Sequence, residues 1–187
     1  MKEFQPYIAG RMDYPDLPDF LRSQWEKIPP SHGAANNARP CMAVLDDNTV
    51  IDAVYVVSAE DFINTWGIWP KDDSAKREVH ISRVRKFQES PSRLPLKFAE
   101  KIYHVGESRM GGSDFTLVFS DKTTQAYVAG NAVDFLELPS GKSMADVIDV
   151  ILSEAIQTTN CLHDLNYYWC LFGSGQDRRG GLTSRSS

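Results

Sequence analysis

The densest run of reactive residue types is His104-Val105-Gly106-Glu107-Ser108-Arg109-Met110-Gly111-Gly112, which sets an imidazole, a carboxylate and a hydroxyl within five positions. His104, Glu107 and Ser108 are therefore the candidate catalytic residues of a small hydrolase or transferase. The spacing argues against that use. A nucleophile elbow reads G-x-S-x-G on a strand-to-helix turn, whereas here the second glycine falls one place late and the order is helix to strand. Catalytic triads are assembled in space, so sequence adjacency adds little. Phosphate cradles fail on the same order, because their glycines precede a helix whose amides face the anion. Ser140-Gly141-Lys142-Ser143 ends like a phosphate-binding loop but lacks the earlier glycine, and reads as a turn followed by a helix cap.

Metal binding leaves paired traces such as C-x-x-C or H-x-x-x-H. His32, His80, His104 and His163 share no such spacing, and Cys41, Cys161 and Cys170 form no pair, so neither a metal nor any other cofactor is expected. The candidate paired acids Glu60, Asp61, Asp134 and Glu137 carry no spacing information.

Two features suggest contact rather than catalysis. Thr65-Trp66-Gly67-Ile68-Trp69-Pro70 is aromatic for a connection, and Trp66 and Trp69 either plug a satellite core or anchor a partner. Charge is also unevenly spread. Residues 71–110 hold ten basic and six acidic groups, whereas residues 1–70 hold five and ten, and 111–160 hold two and seven. Arg83 and Arg85 lie in the basic segment and face either an anionic partner or the chain's own acidic flanks. A net charge of −5 and the lack of a recognisable module argue against nucleic acid.

Behind these residues stands a chain of 187 residues, 42% hydrophobic and 24% charged, enough to bury a core. No apolar run approaches the roughly 20 residues needed to span a bilayer. With odd cysteines and no leader-like segment, a cytoplasmic location is expected.

Elements follow from pattern. Leu17, Phe20, Leu21 and Trp25 recur at helical spacing and stop before Pro29-Pro30. Cys41–Leu45 and Val50–Val57 flank the turn Asp46-Asp47-Asn48-Thr49, a hairpin. Ser58-Ala59-Glu60-Asp61 resembles a capping box opening a short helix to Trp66. Val79, Ile81, Val84 and Phe87 begin at period two and drift toward helical spacing. A helix over 94–105 ends at Gly106, expected in the left-handed conformation. Phe115–Phe119 and Gln125–Ala129 form a second hairpin, and Asp134–Leu138 is expected to add a strand. Ser143 and Asp146 cap an apolar helix to Gln157 that should lie on the sheet.

The expected fold is α+β, an antiparallel sheet of four to six strands with three or four helices mainly on one face. It forms a single domain over 1–172, closed by the aromatic segment 161–172. Residues 173–187, with four glycines, four serines and three arginines, should be a disordered tail. The function expected is a non-enzymatic protein-binding module, an adaptor, inhibitor or immunity-type protein masking a basic partner, with self-association as a further possibility.

Overall fold

The computed structural model of the protein describes residues 14–108, 110–130, 132–152, 161–163 and 165–173. Over these the chain is α+β, with a five-stranded and a three-stranded sheet and three α-helices.

Helix α1 (Asp19–Trp25) precedes the hairpin β1 (Arg39–Leu45) and β2 (Val50–Ser58). Asp47 Oδ1 accepts from Thr49 N and Asn48 adopts a positive φ, the turn chemistry expected of 46–49. Helix α2 (Ala59–Trp66) starts where Ser58 Oγ accepts from Asp61 N and ends at Gly67, left-handed at φ 67°, ψ 0°. The drifting period at 79–87 has a physical cause. A short strand β3 (Arg77–Glu78) and strand β4 (Val84–Gln88) are separated by a 3₁₀ turn at Ile81–Arg83, so two periods share one stretch.

The five strands stand in the order β3-β8-β2-β1-β4, where β8 is Tyr168–Phe172. β1 pairs antiparallel with β2 and β4, but β2 and β3 each pair parallel with β8, so the sheet is mixed and the purely antiparallel expectation is corrected. Segment 161–172 does not merely close the domain; its last five residues enter the sheet. Along β2, Val54 and Val56 join one apolar cluster, and Ala53, Tyr55 and Val57 another, as the alternation of a strand requires. Leu21 of α1 lies in the first cluster and Phe62 of α2 in the second, so the helices cover opposite faces and the expected one-face arrangement does not hold.

Helix α3 (Leu96–Val105) packs Phe98, Ala99 and Ile102 on the second sheet, ordered β6-β5-β7, with β5 at Ser113–Phe119, β6 at Thr124–Ala129 and β7 at Val147–Leu152. Gly106 has φ 80° but ψ −167°, a positive-φ extended turn rather than the left-handed cap. The largest correction concerns residues 143–157. The capping box forms, with Ser143 and Asp146 answering each other, but it opens only a 3₁₀ turn at Met144–Asp146. Val147–Leu152 is then strand β7, antiparallel to β5. Val147, Ile148, Val150 and Ile151 are β-branched and favour the pleated surface that β5 offers. Residues 153–157 of the expected helix lie outside the described residues. The expected strand at Asp134–Leu138 is a connection, buried as far as Leu136, touching Arg93 through one isolated bridge at Phe135. Gly173 donates its N–H to Pro15 O; the rest of the expected tail, 174–187, lies outside the described residues.

Candidate contact groove and the Asp134 junction

The two sheets meet at one carboxylate. Asp134 is fully buried in the connection after β6, and both oxygens are answered from distant parts of the chain. Ser31 Oγ donates to Oδ2 at 2.5 Å, Tyr103 Oη at 2.7 Å and Tyr55 Oη at 3.1 Å. Arg93 Nε donates to Oδ1 at 3.3 Å, while its Nη1 and Nη2 donate to Pro29 O and Pro30 O. Asp134 O accepts from Leu94 N, and Tyr103 Oη accepts from Val133 N at 2.9 Å. Ser31 follows the two prolines that end the first helical region, Tyr55 comes from β2 and Tyr103 from α3, so the carboxylate ties together both sheets and the loop between α1 and β1.

Burial, and secondly the negative charge of Asp134, push the Tyr55 and Tyr103 phenols well above their ordinary range. Both therefore stay protonated as donors. An enclosed carboxylate with this many donors is a lock on the fold, not a general base with access to a reactant.

Tyr103 also lines a surface groove along α3. This depression of about 660 Å³ is lined by Lys97, Glu100, Lys101, Tyr103, His104 and Val105 of α3, with His32 and Leu152 on its walls. A smaller hollow of about 220 Å³ continues it past His32, Gly33 and Tyr103 to Glu107 and Ser113. Helical spacing explains the lining, since positions 97, 101, 104 and 105 fall on one face of α3. Gly33 is required where it stands, because a Cβ there would lie 1.9 Å from Cε1 of Tyr103. His32 Nε2 faces Glu100 Oε1 at 3.6 Å, a solvent-exposed pair worth about 0–1 kcal/mol. Val105 leaves 61% of its surface to solvent.

The expected catalytic residues take different places in this geometry. His104 lines the larger hollow and Glu107 the smaller. Ser108 Oγ accepts from Asp114 N at 2.7 Å and Glu107 Oε2 from Gly111 N at 3.2 Å, so both fasten the loop before β5. Trp69 is 3% exposed, tilted against Tyr14, and Trp66 packs on Phe62 and edge-on to Trp169, with Lys76 Nζ 4.9 Å from its ring centroid. Trp69 is thus buried and Trp66 partly so, and among the apolar residues of that connection Ile68 is the exposed one. Arg83 bridges Asp47 at 2.8 Å and Asp46 at 3.3 Å, and Arg85 Nη1 donates to Asn48 Oδ1. The chain's own acidic turn thus engages both arginines. Lys142 of the phosphate-loop lookalike pairs with Asp121. Among the described residues no group of three or more His, Cys, Asp or Glu could hold a metal ion, and no helix is long and apolar enough to cross a membrane.

No protein-family model, curated protein or solved structure matches this chain. Function must then be argued from the site alone.

Ser31, Tyr55, Arg93 and Tyr103 escape sequence reading as a set, since positions 31, 55, 93, 103 and 134 form no local pattern. Gly33, shortly after Pro29-Pro30, is a local trace of the close approach.

Proposed function

We propose that this chain is a non-enzymatic protein-binding module, of adaptor, inhibitor or immunity type, that receives a carboxylate-bearing segment of its partner in the groove along α3. The observation that carries this reading is the lining of the groove. Exposed Val105 and half-buried Leu152 provide apolar contact between Lys97, Lys101, His32 and His104, with Glu100 the one carboxylate of the larger hollow. A net charge of −5 alone would favour a basic partner, but the larger hollow is lined by Lys97 and Lys101 against Glu100, with Lys101 shared with Asp149 at 3.1 Å, and local complementarity governs the contact. Interfaces of this kind combine an apolar centre with a polar rim. The engagement of Ser108 by the Asp114 amide further supports binding over a hydrolytic or transferase role for the 104–112 loop.

The test is affinity capture with the intact chain and two groove variants, Lys97→Glu and Val105→Glu. A partner held by the native chain at low salt should be weakened by about tenfold or more in each variant, the loss of at least 1.4 kcal/mol, and released by added salt. Equal retention by both variants, recovery of no partner at low ionic strength, or ester hydrolysis abolished by Ser108→Ala would each overturn the reading.

A further inference from the structure

β7 is one outer strand of its sheet, and among the described residues the outward backbone groups of Val150 meet side chains and not another strand. In an antiparallel pair, alternate residues direct N–H and C=O toward and away from the partner. At Val150 the N–H donates to Asp149 Oδ1 at 2.7 Å, and the C=O accepts from Lys101 Nζ. Lys101 Nζ also reaches Asp149 Oδ1 at 3.1 Å, closing the three groups into one clamp. Lys101 comes from α3 and Asp149 from β7, and both side chains are about half exposed. The edge they cover is unusually adhesive. Val147–Leu152 reads V-I-D-V-I-L, with no proline or glycine, one charge, and Ile148 and Ile151 each 52% exposed. Such a segment on an open edge is prone to strand addition. Lys101 and Leu152 also line the groove, so open space stands beside this edge.

The geometry points to a latent strand-pairing edge at β7, held closed by the Lys101–Asp149 clamp, whose occupant when the clamp opens is β7 of a second copy of this chain. An isologous pair runs antiparallel about a two-fold axis. The axis cannot pass through Asp149 without setting two carboxylates opposite each other. Placed at Ile151, it joins Val150 of each copy to Leu152 of the other through the very groups the clamp covers. The two exposed Ile151 side chains then meet across the axis, where side chains of a non-hydrogen-bonded pair approach most closely. Asp149 acts here as a gatekeeper charge inside an apolar strand, and Lys101 as the donor that keeps it in place. This inference does not rest on the groove reading, although the two share Lys101 and Leu152, and it is read from self-association of the chain, not from capture of a partner.

The test uses Lys101→Met, which keeps the aliphatic stem and removes the donor, and Asp149→Ala. Light scattering on the sizing column should show the native chain monomeric and both variants shifted to dimer, with dimer affinity raised by about tenfold or more, at least 1.4 kcal/mol. Ile151→Cys, in a background with Cys161→Ser, should form an intermolecular disulfide about tenfold faster with Lys101→Met than without it, an effect of about 1.4 kcal/mol. Near-UV circular dichroism reports whether each variant retains its packing, and because Lys101 is half exposed the methionine variant is expected to keep it. Monomeric Lys101→Met and Asp149→Ala chains would overturn the proposal. So would a dimer that Ile151→Cys fails to trap, or a native chain already dimeric.

Discussion

At Asp134 a single charge is balanced by groups from four other parts of the sequence, and the energetics of that site follow from its enclosure. Removing the charge while keeping the shape, Asp134→Asn, leaves the Arg93 guanidinium, 10% exposed, without a counter-ion. Breaking one side of such a buried pair costs about 3–5 kcal/mol, which urea unfolding should register as a lowered midpoint with an unchanged slope. Tyr103→Phe keeps the ring but deletes a donor to Asp134 and an acceptor for Val133 N, an expected loss of about 1–3 kcal/mol. The two phenols also set an alkaline limit. Because burial and the Asp134 charge raise their folded pKa values above the ordinary value of 10, their contribution is complete below about pH 10. Above it the unfolded chain releases protons that the folded chain retains, so stability falls as pH rises. Unfolding midpoints between about pH 9 and 11 should decline less steeply in the Tyr55→Phe/Tyr103→Phe double variant than in the native chain. None of this was legible from sequence, where Asp134 stood among acids of unknown separation and Arg93 drew no attention. The groups it joins are up to 103 residues apart, and no periodicity encodes such convergence.

Elements whose signals are local were read correctly. The 46–49 turn, the Ser58 cap and the hairpin over 113–129 follow from residues that touch their own neighbours. Where local and long-range preferences compete, the pattern misleads. Ser143 and Asp146 form the expected box, yet the segment beyond it pairs with β5, because four β-branched residues in six lose less against a strand than in a helix. Element geometry also makes Gly33 a sharp test. The ring that an alanine Cβ would strike is pinned at its hydroxyl by Asp134 and Val133, so it cannot swing aside. Gly33→Ala should cost about 1–3 kcal/mol as an overpacked contact. In a Tyr103→Phe background the ring regains freedom and the cost should shrink, a coupling that a double-mutant cycle measures directly.

Across the molecule, each outer strand of the two sheets is protected differently. β4 has its Phe87 N–H taken by Gln24 of α1, β3 is two residues long, β6 carries 161–163 alongside it through Val128 and Leu162, and β7 has its clamp. Sequence reading anticipated hairpins and hence an antiparallel sheet, but could not see that the last strand returns to lie parallel between β2 and β3, since parallel pairing leaves no turn to recognise. With β2 flanked on both sides and Val54 to Val57 wholly enclosed, its amides should be the slowest of the chain to exchange with deuterium, opening only on global unfolding. The place of β8 also bears on how the molecule is born. During synthesis β3 and β2 emerge long before Tyr168–Phe172, and until those residues arrive β3 has no neighbour and one flank of β2 lies bare. A ribosome must therefore finish nearly the whole sheet's worth of chain before its centre can close, which exposes the growing polypeptide to chaperones and to misjoining for most of its elongation.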